Sequence, residues 1–246
     1  MSQNSNDGGK RSARERLRAE RERDKAAERR RRQFKVGAVV VGVLAVATAV
    51  GATVAGMGRE SAGSQSGKPV TVGQHSAPAK LTVYEDFRCP ACGQFENAFR
   101  GTIKSLQRAG KLKAEYHLVT LIDGNMGGRG SHEAANAAAC ARDKGKFVPY
   151  HDVLYRNQPG EEKDAFADTG RLIELAGKVD GLADASFKEC VTSGRHDAWV
   201  TRSDEEFRKS GHQGTPTVLL NGKDIFSDQA HPLTPARLRK LVEAAS

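Results

Sequence analysis

Residues 36–57 (VGAVVVGVLAVATAVGATVAGM) run for 22 positions without a charge, and nothing else divides the 246-residue chain so sharply. As a helix rising about 1.5 Å per residue the run spans roughly 33 Å, against about 30 Å for a hydrocarbon core. Its glycines and alanines suit lipid, where small residues permit close helix contact. A buried core helix fits poorly, because the run has no polar face and follows a charged tail. A cleaved signal peptide is the stronger rival. Apolar signal regions usually have about 7–15 residues and short leaders, so these lengths favour a retained anchor. The small residues Ala47, Thr48 and Ala49 keep cleavage open.

The charge distribution orients this segment. Residues 1–35 hold thirteen Lys/Arg against six acids, a surplus of seven out of the chain's +9. Arg29, Arg30, Arg31, Arg32 and Lys35 directly precede the span, which places the N-terminus in the cytoplasm and the remainder outside, at the cell membrane. The basic tail 1–35, disordered or helical, reads as a solvated segment that sets topology, or as a contact for anionic lipid. The rest of the chain is nearly neutral, which disfavours a nucleic-acid surface. Residues 58–79, rich in Gly, Ser, Ala and Pro, read as a flexible tether. One domain follows at 80–246.

Within that domain, residues 80–85 form a short β-rich run. Residues 92–109 carry Phe95, Phe99, Ile103 and Leu106 at helical spacing and stop at Gly110. Residues 112–121 alternate like a strand. Residues 131–142, 147–156, 169–178, 184–192 and 197–209 read as helices. A strand at 217–220, a hairpin turn at Asn221-Gly222 and a return over 223–226 come next. Thr234 as N-cap and Pro235 as first helical residue open the last helix.

The chemistry concentrates at Cys89-Pro90-Ala91-Cys92. The motif sits where a strand feeds a helix, and a helix N-terminus offers unpaired N–H groups and partial positive charge that favour thiolate over thiol. Pro90 fits the first helical turn without costing a hydrogen bond. Cys89 is therefore expected exposed and acidic, as nucleophile, and Cys92, deeper in the helix, as resolving thiol. Half of a zinc site is the bland reading of such a pair, but no second C-x-x-C or H-x-x-x-H completes it. A purely structural loop disulfide at a helix mouth would be strained and reducible.

Two further stretches accompany that motif. Residues 86–92 (DFRCPAC), 214–222 (GTPTVLLNG) and the helical 131–155 together resemble the DsbA-like branch of the thioredoxin superfamily over about residues 80–246. The resemblance implies an α/β thioredoxin fold interrupted by a helical insertion at about 127–210, with one transmembrane helix ahead of it. It also implies a cis Pro216 beside the active site, with Thr215 offering backbone groups to an extended substrate segment. Neither metal nor any other cofactor is required. Two departures stand out. The position six residues before Cys89, where many relatives carry a buried acid, is Val83, and Ala91 stands where strong oxidants carry a histidine. Glu85 and Asp86 read as solvated strand-end acids, with assistance to proton transfer as the sharper alternative.

With Cys89 and Cys92 assigned to the motif, Cys140 and Cys190 remain, and they pair as a structural disulfide between insertion helices in an oxidising compartment. Two buried free thiols are the alternative. The seven histidines lack metal spacing, and His212, near the Pro216 loop, alone invites a test against Cys89. The chain thus reads as a membrane-anchored extracytoplasmic thiol:disulfide oxidoreductase. It would oxidise the thiols of exported proteins, and the resemblance implies reoxidation by a membrane-bound, quinone-linked partner. A reductase or isomerase, as in cytochrome maturation, and a redox-inactive tethered peptide-binding module are the alternatives.

Overall fold

Strand β2 (Ala79–Glu85) is the axis of the domain. It is the central strand of the sheet and five of its seven residues are buried: β3 (Leu112–Leu118) pairs with it in parallel, with Val83 opposite Tyr116, and β4 (Thr217–Leu220) pairs antiparallel, with Val83 opposite Val218. The structure, a computed structural model, describes residues 67–245. The expected anchor at 36–57 and the tail at 1–35 lie outside the described residues. No helix among the described residues is long and apolar enough to cross a membrane.

Among the described residues the sheet has five strands in the order β1-β3-β2-β4-β5. Edge strand β1 (Val70–Val72) pairs antiparallel with β3. It falls inside the stretch expected to be a tether. Three residues amid Gly and Ser are too short for period-two alternation to register, yet Val70 is buried and belongs to the core. Edge strand β5 (Lys223–Asp224) follows a turn with Asn221 at φ 49° and Gly222 at φ 85°, the doubly left-handed geometry that an Asn-Gly pair accommodates.

Helix α1 (Pro90–Arg108) links β2 to β3. Cys92, Phe95, Phe99, Ile103 and Leu106 recur every three or four residues and form its buried face. The helix stops at Gly110 in a left-handed conformation, with Gly110 N–H bonded to Gln107 O and Lys111 N–H to Leu106 O. This double closure satisfies the terminal carbonyls and turns the chain into β3.

The expected strand to residue 121 ends instead at Leu118. Beyond it Val119 N–H still reaches Glu85 O, but Thr120 N–H turns to the Asp204 carboxylate, and α2 (Leu121–Met126) begins. The helical insertion therefore starts at Leu121. It continues through α3 (Gly130–Asp143), α4 (Phe147–Arg156), a 3₁₀ turn (Ala165–Ala167), α5 (Thr169–Ala176), α6 (Ala185–Thr192) and α7 (Asp197–Lys209). Its centre is α3, whose Ala134, Ala135, Ala137, Ala138, Ala139 and Ala141 are all fully buried. Side chains that small let α4, α6 and α7 pack around it. Asp168 and Asp184 cap α5 and α6 through Gly170 N–H and Phe187 N–H. Cys140 on α3 is joined to Cys190 on α6 by a disulfide, with S–S 2.04 Å. Helix α8 (Pro235–Ala244), capped by Thr234 Oγ1, packs against α1.

Candidate active site

Cys89 is the N-cap of α1 and Pro90 its first residue, so the two cysteines stand on the first turn of a helix that runs out of the sheet centre. Cys89 Sγ donates to Thr215 O at 3.3 Å across the sheet, and Thr215-Pro216 is a cis peptide bond. That contact corrects the expectation of an exposed nucleophile. Cys89 is only 6% accessible, because the Thr215 carbonyl lies over its sulfur, while Pro90 and Ala91 form an exposed rim. Cys92 is fully buried.

The two thiols are driven apart electrostatically. Cys89 is pulled down from an ordinary 9.0 to about 6, first by the Cys92 thiol donating to its thiolate, and further by the Thr215 side chain and the amides of Cys92 and Ala91, against the cost of burial. Cys92 is pushed well above its usual value, mainly by burial and then by giving its hydrogen bond to Cys89. At neutral pH one thiolate and one thiol therefore share a helix mouth.

The insertion holds the motif from behind. Gln158 Nε2 donates to both Phe87 O and Cys89 O at 2.9 Å. Its amide fills the space above Gly93, where a Cβ would lie 2.1 Å from Gln158 Oε1. Arg88, directly before Cys89 and buried, is a clamp between segments. Its guanidinium reaches Asp123 Oδ1 at 2.7 Å, Asp164 Oδ1 at 3.1 Å, Gly127 O at 2.8 Å and Glu161 O at 3.1 Å. Asp86 accepts from Arg88 N–H (2.7 Å), Ser131 Oγ (2.7 Å) and Ile122 N–H (2.9 Å). Burial raises its carboxyl to about 7 in spite of those donors.

Glu85 and Asp86 are both fully buried, so neither is a solvated strand-end acid. The cause is α4, which lays His151 over the end of β2 with Nε2 2.6 Å from Glu85 Oε1. Glu96 from α1 completes this group, and ligand-type atoms of Glu85, Glu96 and His151 all lie within 4.8 Å of one another. A second such group, Cys140, Cys190 and His196, has its sulfurs engaged in the disulfide. His212 packs against Tyr84, ring centroids 5.2 Å apart, and Tyr84 stacks on His117 at 4.3 Å.

This arrangement has counterparts among known proteins. A family model described as Thioredoxin matches residues 65–244. Disulfide bond formation protein D of Bacillus subtilis (strain 168) is 27% identical over 170 residues, covering 67% of this chain and 73% of that protein. Reduced DsbG from Mycobacterium tuberculosis superposes with a TM-score of 0.63 at 30% identity, over 74% of this chain and 88% of that one. Oxidised DsbA of the same organism gives 0.61 at 31% identity, over 72% and 92%. The chain belongs to the DsbA-like thiol:disulfide oxidoreductases of the thioredoxin family.

In this DsbA-like enzyme the sequence motifs mark where the sulfurs stand, and they leave out what surrounds them. Arg88, Gln158 and His151 carry no signature of their own, since each gains its partners from segments 35 to 73 residues away. The one available hint was Glu96 four residues after Cys92, a carboxylate on the apolar face of α1.

Proposed function

We propose that this enzyme is a disulfide donor outside the cytoplasm: it passes the Cys89–Cys92 disulfide to thiols of exported proteins, with Cys89 as the attacked sulfur and Cys92 as the resolving one. The observation that carries the reading is the paired shift at the helix mouth, Cys89 held near 6 while Cys92 is pushed up. A thiolate that is stable at neutral pH is a good leaving group, so the reduced pair is favoured and the oxidised pair gives up its disulfide readily. The substrate thiolate attacks Cys89 Sγ and Cys92 leaves with the electron pair. A second substrate thiolate then attacks the substrate sulfur of the mixed disulfide and expels Cys89 as thiolate. The substrate loses two electrons and the pair gains them.

Thr215 and the cis Pro216, whose backbone lies against Cys89, would receive an extended substrate segment by strand-like pairing. The uncharged residues 36–57 would anchor the domain with the basic tail in the cytoplasm, and a membrane-bound oxidant would restore the disulfide. Cys140–Cys190 serves as a structural staple. Equilibration with glutathione tests the direction of flow. A reduction potential near −120 mV supports donation, and one near −270 mV, the range of thioredoxin, replaces it with a reductase.

A further inference from the structure

Gln158 stands two residues beyond α4 and reaches the redox motif from the insertion. Its side-chain amide has two N–H donors, and it directs them at the turn that carries the nucleophile, with Nε2 2.9 Å from both Phe87 O and Cys89 O. Those carbonyls flank Arg88, so one planar amide spans the bend from β2 into α1. The Cys89 carbonyl also accepts Gly93 N–H at 3.1 Å, the first backbone bond of the helix. Two donors thus hold one carbonyl, and with it the N-cap conformation of Cys89, φ −70° and ψ 118°. The support is itself tied down. Asn157, next to Gln158, gives its Nδ2 to Val153 O at 2.7 Å and accepts Lys178 Nζ on Oδ1 at 2.8 Å.

Gly93 faces this amide from α1. Its backbone is helical and its site is buried, so a left-handed turn is not what calls for glycine, the poorest helix former after proline. What calls for it is space. A Cβ at Gly93 would lie 2.1 Å from Gln158 Oε1, 2.9 Å from its Cδ and 3.3 Å from its Nε2, and these are the three nearest atoms. The obstruction is the far end of one flexible side chain, so a methyl group here displaces the amide and leaves the helix standing.

We propose that Gln158 is a positioning residue for thiol exchange: from the insertion it locks the Cys89 carbonyl, and Gly93 is the notch in α1 that admits its amide. This inference rests on Cys89–Cys92 being the redox pair. Pro90 has no N–H, so the first turn offers the Cys89 sulfur the amides of Ala91 and Cys92, and both stabilise its thiolate. They stay aimed at the sulfur as long as the N-cap conformation holds. With the carbonyl released, the turn loosens, the two amides align less well and the thiolate loses part of its stabilisation. Cys89 then becomes a poorer leaving group, and the Cys89–Cys92 disulfide is given up less readily. Gln158 is neutral, and replacing it with a neutral residue leaves in place the other groups that act on Cys89: Cys92 on α1, Glu85 at the end of β2, and Thr215. A shift at Cys89 therefore reports alignment rather than a change of charge.

Two readouts on the full-length protein test the lock: the thiolate absorbance of the reduced form against pH, and the redox equilibrium with glutathione at pH 7. Gln158→Ala removes the amide, and Gly93→Ala pushes it aside while favouring the helix. Each is expected to raise the Cys89 midpoint from about 6 by about 0.6 of a unit, the effect of weakening one neutral hydrogen bond to the thiolate. At pH 7 that lowers the equilibrium constant for reduction of the pair about threefold, or about 14 mV towards more reducing potentials. The double variant is expected to match Gln158→Ala alone, because the Cβ then has no amide left to displace. Should Gln158→Ala fail to fold, Gly93→Ala carries the test with the glutamine in place. A folded variant whose midpoint and equilibrium constant equal those of the wild type, however large its loss in Tm, overturns the lock, and effects that add in the double variant overturn the notch. A wild type whose Cys89–Cys92 pair does not exchange with glutathione would instead overturn the redox-pair reading.

Discussion

Replacing Arg88 with methionine removes a single buried cation that four segments share. The substitution keeps most of the apolar stem, so the loss is mainly electrostatic. Two carbonyls, Gly127 O and Glu161 O, lose their donor, at about 1 kcal/mol each. Asp123 loses its cation but keeps the amides of Ser131 and His132 at 3.0 Å, which places it at the N-terminus of α3 and limits the damage. Asp164 is nearly a third exposed, so solvent recovers much of its share. The sum falls at about 3–4 kcal/mol, the lower part of the range for breaking a buried ion pair. A domain of this size loses about 2–4 °C in Tm per kcal/mol, so Arg88→Met is expected to melt roughly 6–16 °C below the wild type. Arg88→Lys is expected to recover only part of this, because one ammonium cannot fork towards four acceptors. Thermal unfolding of the oxidised protein by circular dichroism reads the shift. A Tm within about 2 °C of the wild type would show that the clamp is incidental and that the insertion is held by packing alone.

Three other expectations follow from the same contacts. Removing the staple with Cys140→Ala and Cys190→Ala opens a loop of 50 residues and is expected to cost at most about 4 kcal/mol in denaturant unfolding; a cost near zero would show that the insertion helices hold without it. Gly128 has φ +102°, and a Cβ there would lie 2.5 Å from Asp164 Oδ2 and 2.8 Å from Arg88 Nη1, so Gly128→Ala should destabilise by more than about 1 kcal/mol, and a neutral result would dissociate the loop from the clamp. The depressed Cys89 value stabilises the reduced fold fully above the unfolded value and loses that contribution as pH falls through about 6. Reduced-minus-oxidised stability should therefore rise by about 2 kcal/mol from pH 6 to pH 8, and a flat or falling difference would contradict the thiolate.

Local rules carried the sequence reading far where contacts are local. The apolar spacing of α1, its stop at Gly110, the Asn221-Gly222 turn and the Thr234-Pro235 helix start depend on neighbours a few residues away, and each stands in the structure at or beside the position read. The placement of Cys89 at a helix mouth was legible for the same reason. What escaped depends on distant segments. Glu85 and Asp86 look like polar strand ends until α4 and α3 close over them, and no periodicity encodes a histidine 66 residues downstream. The burial of Cys89 has no local signal, because Thr215 arrives from 126 residues away. Helix α2 was hidden because Val119, Thr120 and Leu121 extend the apolar run of β3, and only the missing partner beyond Glu85 ends the strand.

The claim on which the rest depends is that Cys89 is a thiolate at neutral pH. Absorbance of the reduced protein at the thiolate band, titrated between acid and alkaline pH, measures it directly. The account predicts a single transition centred near 6 that disappears in Cys89→Ser and moves upward in Cys92→Ala, which removes the hydrogen bond given to it. A transition at or above about 8.5, the value of a free thiol, would contradict it.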